Sequence, residues 1–163
     1  MKGGPAMPVP TPKQLDGYEM APSSIMAALE GLNETQIRLT PAENEWSIHE
    51  IVIHLADSEA IGYIRLRMAI AEDNPLLPVY EQALWAKRLK YDAQARGLAL
   101  ALFANLRASS AALLRALTAE EWERFATHPE RGRMSVCDLF DLYSEHGEVH
   151  LQQIEHIKQT FNA

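Results

Sequence analysis

The sequence predicts an all-α protein: a four-helix bundle with a long connection between its second and third long helices, plus short extra helices. Three observations predict it. Apolar residues recur at helical spacing in four separate stretches. Ser47 with Glu50, Thr118 with Glu121 and Ser135 with Asp138 form capping pairs, in which two side chains satisfy exposed amides at a helix start. No stretch shows the sustained alternation of a half-buried strand.

Residues 1–13 hold Pro5, Pro8, Pro10 and Pro12 with Gly3 and Gly4, and read as a flexible lead-in. Residues 14–163 read as a single domain, long enough to bury a substantial core. A first helix is expected from near Pro22-Ser23-Ser24, carrying Ile25, Met26, Leu29 and Leu32 and stopping between residues 31 and 33. After a connector, Ser47 opens the second helix, which runs to about Glu72, where Asn74-Pro75 ends it. Its apolar residues wrap most of the way round, so it is expected to be largely buried.

Residues 76–90 read as a crossing connection with a helical piece over 81–88. The third long helix is expected over residues 91–117, with Leu98, Leu102, Leu106, Leu113 and Leu117 on one side. Thr118 starts a short helix through Phe125, residues 127–133 form a loop, and Ser135 opens the last helix.

The bulk numbers exclude some functions. A net charge of −7 argues against nucleic acid as a partner, since that needs a basic surface. A single cysteine, Cys137, suits a reducing cytoplasm and reads as a core thiol. No apolar run reads as a signal core or a membrane span, so the expected location is cytoplasmic, with no membrane partner.

Chemistry concentrates in three histidines. On the last helix His146 and His150 lie one turn apart within the stripe of Val136, Leu139, Phe140, Tyr143, Gly147, Ile154 and Ile157, so both point inward. Two buried imidazoles need partners for their ring nitrogens, and a metal is a common one. His54 on the second helix supplies a third nitrogen, giving a mononuclear site with open coordination positions. Nitrogen ligands suit zinc or nickel. Asp57 or Glu50 is placed to accept the second N–H of His54, the alternative being plain solvation for Asp57 and, as the first reading for Glu50, capping at Ser47. Gly147 is expected to relieve crowding or admit the metal.

The other histidines fail the geometric test: His156 points about 80° off the ligand face and His49 about 140° from His54, while His128 falls in a loop. In His146-Gly147-Glu148-Val149-His150 the glutamate does not directly follow the first histidine, so it is not the metalloprotease motif. No Glu-x-x-His occurs, which excludes a carboxylate-bridged di-iron bundle.

Several pieces resemble one known family: Trp46-Ser47 opening a helix, His54-Leu55-Ala56-Asp57-Ser58-Glu59 followed by Arg65, residues 103–107, Trp122, Gly132-Arg133-Met134-Ser135, and His146 to His150 followed by Leu151-Gln152-Gln153-Ile154. In that order they resemble the DinB/YfiT-like superfamily of bacterial four-helix bundles. The resemblance implies a metal triad at His54, His146 and His150, nickel or zinc as the metal, and a homodimer. It also implies thiol-dependent transferase or isomerase activity, or hydrolysis.

The leading expectation is a metal-dependent enzyme on a small-molecule substrate: a hydrolase, or a transferase or isomerase that uses a low-molecular-weight thiol. Tyr143 and Gln153 are candidates to orient substrate or water and read equally as structural hydrogen-bond partners; Arg65 is a candidate to attract an anionic substrate but reads first as a surface salt bridge. The alternatives are a metal-binding or ligand-sensing bundle without turnover, and a core whose histidines are purely structural.

Overall fold

The computed structural model describes residues 9–161. Helix α1 (Pro12–Ala28) starts ten residues before the expected Pro22. Thr11 caps it: its hydroxyl accepts from the Gln14 amide, and the Gln14 side chain accepts from the Thr11 N–H. Pro12 stands in the first turn, where a missing N–H costs nothing. Pro22 therefore lies inside the helix and is buried. Part of the expected lead-in is thus helical from Pro12, and its first eight residues lie outside the described ones.

Short α2 (Glu34–Arg38) is capped by Asn33 with Gln36 and precedes α3 (Ile48–Ala71), which Ser47 and Glu50 cap as expected. The following connection holds α4 (Gln82–Arg88) and a single 3-10 turn, Tyr91–Ala93. The third long helix, α5 (Arg96–Arg115), begins after that turn and buries a different side from the expected one. Ala99, Phe103, Arg107, Ser110, Ala111 and Leu114 face inward, whereas Leu98 is 75% exposed and Leu102 45%. Arg107 takes an inward position on that side, where it pairs with Glu59 on α3.

After α6 (Ala119–Trp122) comes a feature the sequence reading missed, an antiparallel hairpin of β1 (Phe125–His128) and β2 (Gly132–Ser135). Phe125 is strand, not the end of α6, and Gly132 takes a φ of 75°, which favours glycine. The hairpin ties down the start of the connection: Thr127 N–H donates to the Pro75 carbonyl, and Leu77 N–H to the Thr127 carbonyl. The last helix, α7 (Val136–Thr160), is capped by Ser135 and Asp138 as expected.

The four long helices pack as a ring in the order α1, α5, α3, α7. Chain neighbours α1 and α3 therefore sit across the bundle from each other, as do α5 and α7, which is why short helices and a hairpin bridge them. By length and composition α5 could cross a membrane, contrary to expectation. Here it is a packed helix with a buried, ion-paired arginine at its middle.

The core falls into two apolar clusters, one around Tyr18, Leu66, Trp122 and Phe140 and the other around Ile25, Ile51, Phe103 and Ile154. Along the helices, Glu59, Arg107 and the turns of α7 from Tyr143 to His150 fall between them. In this polar layer the Arg107 Nε donates to Glu59 Oε2 at 2.7 Å, both side chains being fully buried. Arg107 also donates to the carbonyls of Tyr18 and Tyr143, and the Tyr18 hydroxyl donates to Glu59. Gly147 is explained here rather than at a metal: a Cβ on it would lie 3.2 Å from Arg107 Nη2.

Candidate metal centre

His54 comes from the second turn of α3 and His146 and His150 from successive turns of α7, helices that pack directly on each other. Their Nε2 atoms converge. His54 Nε2 lies 3.1 Å from His146 Nε2, which lies 3.1 Å from His150 Nε2. Neighbouring nitrogens held about 2.0–2.1 Å from one ion are about 2.9 Å apart at right angles and about 3.3 Å at the tetrahedral angle. The observed spacing falls between the two.

The proton count points the same way. Each imidazole nitrogen carries one proton or one lone pair. His146 Nε2 faces two other nitrogens and satisfies only one of them with a single hydrogen bond. Gln153 Oε1 lies 2.9 Å from His150 Nδ1 and takes the proton there, which leaves a lone pair on His150 Nε2. Burial, reinforced by the neighbouring imidazoles, pushes His54 down to about 2 and His146 to about 3; burial also lowers His150. The three rings are therefore neutral near pH 7, with lone pairs to share. One cation fits all three.

Trp46, immediately before the α3 cap, closes one side, its ring centroid 4.6 Å from that of His54 and 6.5 Å from that of His150. The sequence signal for this role is the position of Trp46 directly before a cap, where a residue commonly folds over the first turns of the helix. Neither expected acceptor reaches His54. Glu50 is committed to the cap at Ser47, and His54 Nδ1 and Asp57 Oδ2 both lack hydrogen-bond partners among the described residues.

The excluded histidines are accounted for. His49 Nε2 donates to the Tyr91 carbonyl, Arg96 donates to its Nδ1, and His156 is exposed. Cys137 is buried in the core, which pushes its thiol up.

Beside His146 opens a cavity of about 160 Å³ between α3, α7, the 75–81 connection and the hairpin. Tyr143 and Arg65 both line it. Arg65 is not the surface salt bridge expected of it: it is only 7% exposed and donates to the Pro78 carbonyl and the Tyr143 hydroxyl. Gly62 makes room for Tyr143, since a Cβ there would meet the ring at 2.6 Å. Tyr80, from the connection after α3, and His128, at the end of β1, also line the cavity; connections carry no periodicity from which to place an individual side chain, and His128 read as a loop residue.

His49, His54, His128, His146 and His150 are all held below the ordinary histidine value, burial being the largest cause. The unfolded chain therefore binds more protons below about pH 6.5. In metal-free protein this contribution to stability is complete above about pH 6.5 and declines as pH falls towards the depressed values. Urea midpoints at about pH 7.5 and about pH 5 should show the drop, and a midpoint that rises on acidification would contradict it.

The sequence profile of the DinB superfamily matches residues 18–154. The chain belongs to the DinB superfamily. Among its relatives is a "Putative metal-dependent hydrolase" of Halalkalibacterium halodurans, 34% identical over 134 residues, covering 82% of this chain and 78% of that one. Another of the same description, from Oceanobacillus iheyensis, is 34% identical over 123 residues, covering 76% and 71%. YfiT from Bacillus subtilis, described as "a probable metal-dependent hydrolase with an unusual four-helix bundle topology", superposes with a TM-score of 0.88 at 23% identity, over 99% of this chain and 94% of YfiT. That likeness shows the shared fold, and the α1, α5, α3, α7 ring is this chain's version of it.

Proposed function

We propose that this DinB-superfamily protein is a metal-dependent hydrolase of a small molecule, with one zinc or nickel ion held by the Nε2 atoms of His54, His146 and His150. The observation that carries the reading is the convergence of three neutral imidazole nitrogens on one point beside a cavity. The names of the relatives support the hydrolytic class. When bound, such an ion supplies Lewis-acid polarisation of a substrate and activation of water at neutral pH.

The chain's own groups set the conditions. Gln153 fixes the His150 tautomer and ring orientation. Trp46 excludes water from one side of the rings. Tyr143, one turn before His146, offers its hydroxyl in the cavity as a donor to a substrate oxygen. A thiol-dependent transferase or isomerase would draw on the same donor set, and added thiol separates the two classes.

Untagged protein stripped with a chelator should lose esterase or amidase turnover and regain it with zinc or nickel, without added thiol. Turnover that survives complete metal removal would contradict the proposal. Turnover only with a small thiol would move the protein to the transferase class, and metal retention without turnover to a non-catalytic metal-binding bundle. Gln153→Ala should weaken metal affinity by about 10–100-fold at unchanged helical content, measured by competition with a chromophoric chelator.

A further inference from the structure

Arg65 is a buried cation with no carboxylate partner among the described residues. The fold shows what it does with the other deeply buried arginine: Arg107 is paired with Glu59. Leaving a buried guanidinium unpaired is costly, and its retention calls for a counter-charge from outside the chain.

The hydrogen bonds leave room for one. Arg65 Nε and Nη2 both donate to the Pro78 carbonyl, at 3.0 and 2.6 Å, and Nη1 donates to the Tyr143 hydroxyl at 3.1 Å. A guanidinium has five N–H groups, so two remain without an acceptor among the described residues. The Tyr143 oxygen accepts from Arg65, which leaves its own proton to donate into the cavity.

The same cavity is lined by Arg65, Tyr143, His128 and His146, with Glu130 and Arg131 at its exposed rim. His128 Nδ1 accepts from the Glu130 amide at 3.2 Å, so its proton sits on Nε2, a further neutral donor. Without a metal, Arg65 is the one buried charge among neutral lining donors and the rim's two charges offset each other, which matches a single negative charge; an ion on His146 would add to the attraction for an anion. The volume, about 160 Å³, is close to the roughly 150 Å³ of an apolar cavity known to hold benzene.

We propose that Arg65 and Tyr143 form a carboxylate subsite, so that the substrate is a small organic carboxylate held by its charged end at Arg65 with its reacting bond towards His146. Placing the reacting bond rests on reading the three histidines as the reaction centre; the carboxylate subsite stands apart from it. Arg65 is a binding and orienting residue here.

The test is calorimetric titration of the full-length protein, metal-free and zinc-loaded, with benzoate, benzamide and phenyl phosphate. Benzoate should bind both forms, at least about tenfold more tightly than benzamide, the neutral isostere. Arg65→Gln should weaken benzoate by at least about tenfold with metal content unchanged, and Arg65→Lys should restore part of the loss. Equal binding of benzoate and benzamide, or benzoate binding unaffected by Arg65→Gln, would overturn the proposal. Tighter binding of phenyl phosphate would overturn the carboxylate assignment in favour of a phosphate ester. If Arg65→Gln does not fold, the benzoate and benzamide comparison on the wild type still decides. The two readings fail separately: protein that holds no metal removes the reaction centre but leaves the Arg65-dependent preference in the metal-free form.

Discussion

Glu59→Ala should destabilise the protein by about 3–5 kcal/mol, a large share of the roughly 5–15 kcal/mol typical of a domain. The substitution strands the fully buried Arg107 guanidinium without a carboxylate, leaving among the described residues two backbone carbonyls as hydrogen-bond acceptors and the faces of Tyr18 and Phe103. It also removes the acceptor of the buried Tyr18 hydroxyl, whose pKa burial and Glu59 hold well above the ordinary value. Both losses fall in the layer between the two apolar clusters, where water cannot easily reach to compensate. Replacing both members, Glu59→Leu with Arg107→Met, should recover most of the loss, because removing both charges avoids the stranded one. Urea denaturation measures each effect. A Glu59→Ala loss below about 1 kcal/mol would mean that the pair contributes little to the fold.

His146→Ala has the second large effect, on function rather than stability. His146 Nε2 is the shared member of both close nitrogen pairs, so its removal leaves His54 and His150 without their common neighbour. Two imidazoles without a third seldom retain zinc or nickel through purification, so the variant should carry little metal and show no metal-dependent turnover. The last helix should persist, because alanine is the strongest helix former and the Ser135 cap is distant. Circular dichroism and turnover together check this: lost turnover with unchanged helical content is expected, and wild-type turnover would remove His146 from the reaction centre.

What could be read from the chain divides along physical lines. The Ser47 and Ser135 caps were legible because a cap is local chemistry, complete within four residues. The cap at Thr11 with Gln14 is equally local, but the surrounding prolines carried the reading towards a loop. The hairpin was invisible because strands of four residues are too short for alternation to register. The inward side of α5 was misjudged because its central residue is Arg107, whose partner lies 48 positions away on α3.

The same distinction runs through the site. The inward direction of His146 and His150 follows from helical phase alone. That His54 meets them with all three Nε2 atoms depends on α3 packing against α7, which no local pattern encodes. Arg65 looked like a surface residue because its acceptor is a backbone carbonyl of the 75–81 connection, and sequence does not display backbone acceptors.

In the proposed function three neutral imidazoles hold one divalent ion. Elemental analysis of untagged protein, purified without added metal or chelator, tests it most directly, since a polyhistidine tag would contribute metal of its own. The wild type should carry close to one equivalent of zinc or nickel per chain and His146→Ala almost none. Equal metal content in the two proteins, or none in the wild type even after incubation with zinc and nickel, would contradict it.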